Sequence, residues 1–320
     1  MGPPTSSALD RLDAHGLLVR RPIELLVSKG DYRRALRDTT CHVCAQALPP
    51  RSLHPIIARG RRVPDCYVCA PELAFVQVAP QLGLSDLVML GLELCGKYRR
   101  VRREDGEEEV AHNCPPLTSQ ARLAKAVDKA GGMRGRAQAL RAVPWVLDGS
   151  GSVAEAVLAT LFTLPWRYGG ENLGKALLNP CLPLDGPAAT LFGRDEITPD
   201  ILFVNPRYPV EYDSAQFHST QEQAEFDERR RNAYAALGLG CTVVRPHHLR
   251  SLHRYDAIAG SLRINLGRRI QRRPESYDAA HSELVSSLLE PWMRRRGGGS
   301  PEREADSDLV FPEGYEFDFP

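Results

Sequence analysis

Residues 199–218 constrain the fold more than any other stretch, because they contain two short apolar runs on either side of a turn. The runs 201–204 and 210–212 are separated by Asn-Pro-Arg-Tyr-Pro, which is rich in turn-forming residues. Each run is too short for a typical helix and has the length of a strand. The pattern therefore predicts an antiparallel β-hairpin.

The predicted hairpin brings acidic residues together. With a four-residue loop over 205–208, Leu202 would face Glu211 and Asp200 would face Asp213. Because side chains alternate along a strand, Asp200, Glu211 and Asp213 would lie on one face. Convergent carboxylates repel one another unless a cation lies between them, and hard oxygen ligands suit Mg²⁺ or Mn²⁺. The sequence thus predicts that these three residues bind magnesium or manganese, the metals of phosphodiester chemistry.

Length and composition set the class of protein. The chain has 320 residues, of which 42% are hydrophobic, so it is long enough for two domains with substantial cores. It contains no run of about 18 apolar residues and no apolar segment typical of a signal peptide. We therefore expect a soluble, cytoplasmic protein that does not contact a membrane, whereas the oligomeric state cannot be inferred.

The eight cysteines include two pairs with zinc-ribbon spacing, Cys41-x-x-Cys44 and Cys66-x-x-Cys69. The flanking residues favour β-strands, in which side chains three positions apart face opposite sides. We therefore interpret these cysteines as small buried hydrophobic residues. A zinc site remains the alternative.

The order of predicted elements divides the chain into five parts. The first two are a small mixed α/β domain at 1–96 and a charged linker with a helical hairpin at 97–148. A second α/β domain at 149–272, a C-terminal helix at 273–296 and a disordered acidic tail at 297–320 follow. The charge block after residue 96 is interpreted as a solvated connector or, alternatively, as a patch that contacts phosphates.

The second domain resembles the PD-(D/E)XK nuclease superfamily, in particular the branch related to very-short-patch-repair endonucleases. The resemblance rests on the order of elements and on Pro199-Asp200, Glu211-x-Asp213 and His218, with Ser214 where glycine is usual. It covers residues of about 150–250. The N-terminal region more weakly resembles AbiEi-type antitoxin relatives that carry such a domain.

The resemblance implies an α/β fold with a restriction-endonuclease-like mixed sheet flanked by helices, preceded by the small mixed α/β domain. It implies that Asp200 and Glu211 hold Mg²⁺ or Mn²⁺, that Asp213 and Glu155 complete the shell, and that His218 assists the attacking water. The partner would be DNA, contacted by the arginines of the following helix: Arg229, Arg230 and Arg231. Asp213 stands where the superfamily has its lysine, and no lysine occurs beyond residue 175.

Two questions stay open from the sequence. Ser152-x-x-Glu155 is also a capping box, so the Glu155 carboxylate has a structural role as an alternative to metal binding. The activity predicted by the resemblance is metal-dependent DNA hydrolysis. The alternative is a catalytically inactive nucleic-acid-binding or antitoxin-like regulator that keeps the nuclease fold without the lysine.

Overall fold

The structure is a computed structural model and describes residues 5–14, 22–33, 36, 39–102, 108–214, 221–269 and 273–294. It is a mixed α/β protein whose described residues form several small sheets, one of them with four strands. The predicted acidic tail at 297–320 lies outside the described residues. Among the described residues, no helix combines the length and the apolarity needed to cross a bilayer.

The helices and strands follow in chain order. The helices are α1 (Ser6–Ala14), α2 (Pro71–Val78), α3 (Leu84–Leu94), α4 (Gln120–Lys129), α5 (Arg136–Ala142), α6 (Val153–Thr163), α7 (Gly186–Phe192), α8 (Gln221–Ala236), α9 (Leu252–Asn265) and α10 (Tyr277–Met293). The strands are β1 (Ile23–Val27), β2 (Thr39–Val43), β3 (Leu53–Ala58), β4 (Arg61–Cys69), β5 (Arg99–Arg102), β6 (Glu108–Ala111), β7 (Ala176–Leu178), β8 (Leu182–Pro183), β9 (Glu196–Ile197), β10 (Ile201–Val204), β11 (Arg207–Tyr212) and β12 (Thr242–Val244).

The described residues pack into two compact units. One contains the residues up to Leu82 together with Ala121–Arg141, and the other contains Gly83–Gln120 and the residues from Ala142 onward. These units cross the boundaries predicted at residues 96 and 148, because α3 packs against α6 in the second unit. The five-part division made from the sequence stays a prediction.

The first unit contains two two-stranded sheets, and a small core lies where α1 packs against β4. Parallel pairing joins β1 to β2, and antiparallel pairing joins β3 to β4. Cys66 belongs to the small core, together with Leu12, Ala58 and Val63. Cys44 is also buried, whereas Cys41 and Cys69 are half-buried. In the described parts of the chain, no cysteine belongs to a group of three potential metal ligands within 4.8 Å of one another.

The charged segment after residue 96 contains regular structure. Antiparallel pairing joins β5 to β6 in a two-stranded ribbon. Arg100 also donates from Nε to Glu93 at the end of α3, at 2.7 Å. The segment interpreted as a solvated connector therefore contains a two-stranded ribbon in its described part.

The second unit is built on a four-stranded mixed sheet with the order β12-β11-β10-β7. Neighbouring strands are antiparallel except for β11 and β12, which are parallel and connected through α8. Both faces of the sheet are buried. On one side Phe203 packs 6.4 Å from Phe162 of α6, and on the other Leu202 packs with Ala233 and Tyr234 of α8. This burial on both faces explains the uninterrupted apolar run of β10.

The predicted hairpin is present, but its register differs from the expectation. Val204 pairs with Arg207, so only Asn205 and Pro206 lie between the paired residues and the four-residue loop is wrong. Because loop length sets register, the shorter turn shifts the pairing by two residues. Position 200 therefore lies opposite Glu211 and not opposite Asp213. A shift of two keeps each side chain on its face, so the acidic residues still share one side.

Candidate active site

Three carboxylates of the second unit interact electrostatically near the two central strands of its sheet, because the charge of Asp200 acts on Glu211 and on Glu155. Asp200 directly precedes β10, Glu211 lies in β11, and Glu155 lies in the first turn of α6. Asp200 is tied to the neighbouring strand, because the backbone N–H of Tyr212 donates to its Oδ2 at 2.6 Å. The hairpin turn thus determines which part of β11 Asp200 reaches.

Glu211 is the most enclosed of the predicted site residues. It lies in the second strand of the four, between β10 and β12, and only 5% of its surface is exposed. Its Oε2 accepts from Arg230 Nη1 at 2.9 Å, and its Oε1 accepts from the Tyr234 hydroxyl at 2.5 Å. Residues four apart on a helix share a face, so α8 presents Arg230 and Tyr234 together to this carboxylate. Both carboxylate oxygens of Glu211 are therefore hydrogen-bonded to side chains of α8.

Arg230 has a second donor directed into the buried region. Its Nε is buried and has no hydrogen-bond partner among the described residues. A buried donor without an acceptor is costly, and most such groups in proteins are satisfied by protein, water or ligand. Arg230 thus donates from Nη1 to Glu211, whereas its Nε could donate to a further acceptor.

The Glu155 carboxylate is held by hydrogen bonds near the start of α6. The Ser152 hydroxyl accepts from the Glu155 N–H at 3.1 Å, which is the N-cap half of a capping box. The carboxylate, however, accepts from the Gly151 N–H at 2.8 Å and from the Asn179 side chain, and not from the Ser152 amide. It is 8% exposed. Glu155 is therefore both part of the helix start and close to the acidic group.

The electrostatics of the three carboxyl groups are coupled. Burial and then the charge of Asp200 raise the pKa of Glu211 from 4.5 to about 7. The same two causes raise the pKa of Glu155 to about 7. Burial also raises the pKa of Asp200. Such shifts arise where carboxylates are taken out of water and brought together, and they are common at functional sites.

Asp213 is directed to a different partner. Arg245 donates from Nε to Asp213 Oδ2 at 3.0 Å, at the end of the parallel strand pair. In the described parts of the chain, neither Asp200, Glu211 and Asp213 nor Asp200, Glu211 and Glu155 form a group of ligand atoms within 4.8 Å of one another. The charge of Asp200 nevertheless acts on both Glu211 and Glu155, whereas Asp213 pairs with Arg245.

The remaining predicted residues are less informative. His218 lies outside the described residues. Arg229 and Arg231 are exposed on α8, whereas Arg230 turns inward to Glu211. Contact of these arginines with nucleic acid stays a prediction.

The donor set of these carboxylates suits a divalent cation of the magnesium class. Asp200, Glu211 and Glu155 offer only carboxylate oxygen atoms. Such hard ligands suit Mg²⁺ or Mn²⁺. A metal ion that binds Glu211 Oε2 would have to displace Arg230, which forms an ion pair with this oxygen. The donor chemistry of these residues therefore fits the metal, and binding would require Arg230 to move from Glu211 and the carboxylates to move closer together.

Sequence reasoning missed the residues that hold these carboxylates. Tyr234 and Asn179 have no motif of their own, and each donates to a site carboxylate. The spacing of Tyr234 four residues after Arg230 was a usable signal, because it places both on one helix face. Asn179 precedes the strand hairpin by about twenty residues, and only the fold brings it to Glu155.

We expect the free energy of unfolding of the metal-free chain to fall as the pH rises from about 4.5 to about 7. In that window the folded chain keeps protons on Glu155 and Glu211 that the unfolded chain has lost, because their pKa values are raised to about 7. The stability that these protons contribute is fully present below the ordinary pKa of 4.5 and is lost as the pH rises through the raised pKa of about 7. Glu155→Gln should flatten this dependence and stabilise the chain at about pH 8 by about 1–3 kcal/mol.

Scanning calorimetry at several pH values, with a chelator present, measures this effect. Glu228→Gln, on the exposed side of α8, is the matched control and should follow the parent curve. A Glu155→Gln variant that loses as much stability as the parent between about pH 5 and about pH 8 would contradict the assignment.

Comparison with models of protein families gives no match for this chain, and no curated protein and no solved structure is significantly similar to it.

Proposed function

We propose that the chain is a metal-dependent endonuclease of the PD-(D/E)XK type, which hydrolyses phosphodiester bonds in DNA. The observation that carries the proposal is the interaction of the half-buried Asp200 with two buried carboxyl groups, Glu211 and Glu155, the pKa values of all three being raised. A structural role alone rarely accounts for interacting acids at such positions, because a buried ionised carboxylate lacks the hydration that it has in water.

The order of elements around the site supports the same assignment. A helix with Glu155 is followed by β7, β10 and β11, then by α8 and β12. This is the helix, strand and hairpin order on which the resemblance to the superfamily rests, with the acidic residues at the start of one hairpin strand and within the other. The parallel pairing of β12 with β11 closes the sheet next to Glu211.

In this proposal Asp200 and Glu211 hold Mg²⁺ or Mn²⁺, and Glu155 adds negative potential beside them. The cation would supply Lewis acidity to a phosphoryl oxygen and lower the pKa of a bound water. Asp200 is held by the Tyr212 N–H, so its orientation is fixed before any ligand arrives. The Tyr234 hydroxyl fixes Glu211 in the same way.

Arg230 takes over part of the task of the missing lysine. It is a permanent cation and cannot deprotonate water, because a guanidinium keeps its proton at all relevant pH values. Its buried Nε has no partner among the described residues, and a phosphate oxygen would satisfy this donor. Arg230 thus neutralises Glu211 in the free chain and is available to stabilise phosphate charge once a cation binds Glu211. His218 is proposed, from the resemblance, to orient the water.

A catalytically inactive nucleic-acid-binding or antitoxin-like regulator is the second candidate. The observation that favours it is that Arg230 pairs with Glu211 and Arg245 pairs with Asp213, so protein cations already partly balance two of the predicted ligands. Such pairing allows the fold to persist without metal. This candidate predicts DNA binding without cleavage.

Cleavage of supercoiled plasmid tests the proposal. The purified chain should convert the plasmid to the nicked form with Mg²⁺ or Mn²⁺, and a chelator should abolish the conversion. Glu228→Gln, an exposed change on α8, should nick at the parental rate. If the chain binds DNA but nicks it with neither Mg²⁺ nor Mn²⁺, the result would support the inactive regulator and contradict the proposed nuclease activity.

A further inference from the structure

A second polar cluster lies in the second unit and shares no residue with the proposed active site; two of its residues are buried and one is exposed. Glu171, Asp256 and His281 line a cavity of about 380 Å³. Glu171 lies in the segment between α6 and β7, Asp256 in α9 and His281 in α10. One ligand atom from each of the three lies within 4.8 Å of the others. No sequence motif joins these residues, because they are far apart along the chain.

The orientation of His281 is fixed by its backbone contact. The ring Nδ1 lies 2.7 Å from the Gly169 carbonyl oxygen, which can only accept a hydrogen bond, and 3.0 Å from the Tyr277 hydroxyl, which can accept as well as donate, so the shorter carbonyl contact places a proton on Nδ1. In the neutral ring, Nε2 therefore carries a lone pair. This Nε2 lies 2.9 Å from Asp256 Oδ1 and 3.8 Å from Glu171 Oε1. Two acceptors in contact repel each other, so a cation or an additional proton must lie between them.

A histidine that donates from one nitrogen to a backbone carbonyl and directs the other toward carboxylates has the arrangement found in metal sites. Zinc–nitrogen and zinc–oxygen bonds are about 2.0–2.2 Å long, so neighbouring ligand atoms in a tetrahedral shell lie about 3.4 Å apart. The separations of 2.9 Å and 3.8 Å bracket that value. Small side-chain movements would therefore complete a shell.

A buried hydroxyl without a partner lies beside the cluster. Tyr255 is fully buried, and its hydroxyl has no hydrogen-bond partner among the described residues. Its ring centroid lies 6.0 Å from that of His281. Burial and then the charge of Glu171 raise the pKa of this phenol well above its ordinary value, so the hydroxyl and the carboxylate are close enough to interact. A buried hydroxyl near Glu171 that lacks a protein partner is costly unless water or a ligand reaches it.

The charges around the cavity also favour a cation. Its lining contains three carboxylates, those of Glu171, Asp256 and Asp278, and two guanidinium groups, those of Arg263 and Arg273. Arg263 Nη2 binds Glu171 Oε2 at 2.6 Å and leaves Oε1 on the side of His281. The arginine thus orients the carboxylate in the way that a supporting residue orients a metal ligand.

We propose that His281 Nε2, Glu171 and Asp256 bind one divalent transition-metal ion of the zinc class. Imidazole combined with carboxylates suits Zn²⁺, and the cavity leaves room for water in a further coordination position. The ion would link α9, α10 and the segment after α6, and would thus stabilise the packing of these three parts of the chain.

Titration of the metal-free full-length chain with Co²⁺, followed by the visible absorption of the bound ion, tests the proposal. In a Glu211→Gln background, which removes a ligand of the other proposed site, one equivalent should bind, Zn²⁺ should displace it, and Zn²⁺ should raise the thermal unfolding temperature. His281→Gln and Asp256→Asn should each weaken binding by about 10-fold or more. Asp256 is half-exposed, so the Asp256→Asn variant keeps the test valid if His281→Gln does not fold.

Two control variants distinguish binding at this cluster from binding at the other acidic groups of the chain. Asp278→Asn removes a carboxylate that lines the same cavity but is not in the ligand group, and it should bind Co²⁺ as the parent does. Glu211→Gln should also leave Co²⁺ binding at this site unchanged, so the result is independent of the proposed nuclease. Absence of Co²⁺ and Zn²⁺ binding, or equal binding by Asp256→Asn and the parent, would overturn the proposal in favour of a protonated His281 paired with Asp256.

Discussion

Replacing Glu211 by glutamine is expected to lower the rate of plasmid nicking by about 10³-fold or more, which corresponds to about 4 kcal/mol of transition-state stabilisation. The change removes a charged metal ligand from the proposed site. Glutamine keeps an oxygen that can accept from Tyr234 or Arg230, so the pocket around position 211 stays filled. Single-turnover nicking with Mn²⁺ measures the loss.

The same substitution should stabilise the metal-free chain at about pH 8. The pKa of Glu211 is raised to about 7 by burial and by Asp200, so ionisation of the folded chain costs free energy that glutamine does not. The expected gain is about 1–3 kcal/mol, reduced by the weaker interaction with Arg230. Loss of activity together with a gain of stability is the expected result for a functional ligand. Equal activity in the variant and parent, or a large loss of stability, would mean that Glu211 serves the fold.

Arg263→Ala is expected to have the largest effect on folding, about 3–5 kcal/mol of the free energy of unfolding. Arg263 and Glu171 form an ion pair at 2.6 Å, and their side chains are 5% and 4% exposed. Removing the guanidinium leaves a buried carboxylate without its main counter-charge, and it also removes a donor to the Glu171 carbonyl oxygen. Urea unfolding followed by circular dichroism measures the change.

Arg273→Ala is the matched control for this prediction. Arg273 lies 3.7 Å from the same carboxylate, and its side chain is 36% exposed. Solvent screens such a contact, so the expected cost is about 1 kcal/mol or less. If Arg263→Ala were no more destabilising than Arg273→Ala, the buried ion pair would not be the main support of this region.

The fold class followed from local signals that act within a few residues. The alternation of apolar runs and turn residues predicted β10 and β11, and Ser152 with its apolar helix predicted the start of α6. The register of the hairpin could not be predicted, because Asn205-Pro206-Arg207-Tyr208-Pro209 permits turns of different lengths. Turn length, and not the pattern of the strands, decided that Asp200 lies opposite position 211.

The partners of the site residues depend on tertiary structure and could not be predicted. Glu211 could be identified from the sequence because an unpaired carboxylate in a central strand is costly. Its pairing with Arg230, however, depends on how α8 lies across the sheet. Asp213 belongs to the same motif, yet β12 brings Arg245 to it. Glu171, Asp256 and His281 share no spacing pattern, so only the folded chain brings them together.

The central claim is that Asp200 and Glu211 bind a divalent cation, and calorimetric titration with Mn²⁺ at about pH 7.5 tests it most directly. The parent chain should bind one more Mn²⁺ ion than the Asp200→Asn variant does. Asparagine keeps the oxygen that accepts from the Tyr212 N–H, so this variant should retain the local structure. Because the two chains differ only at this site, the His281 cluster contributes equally to both. Equal Mn²⁺ binding by the two chains would contradict the account.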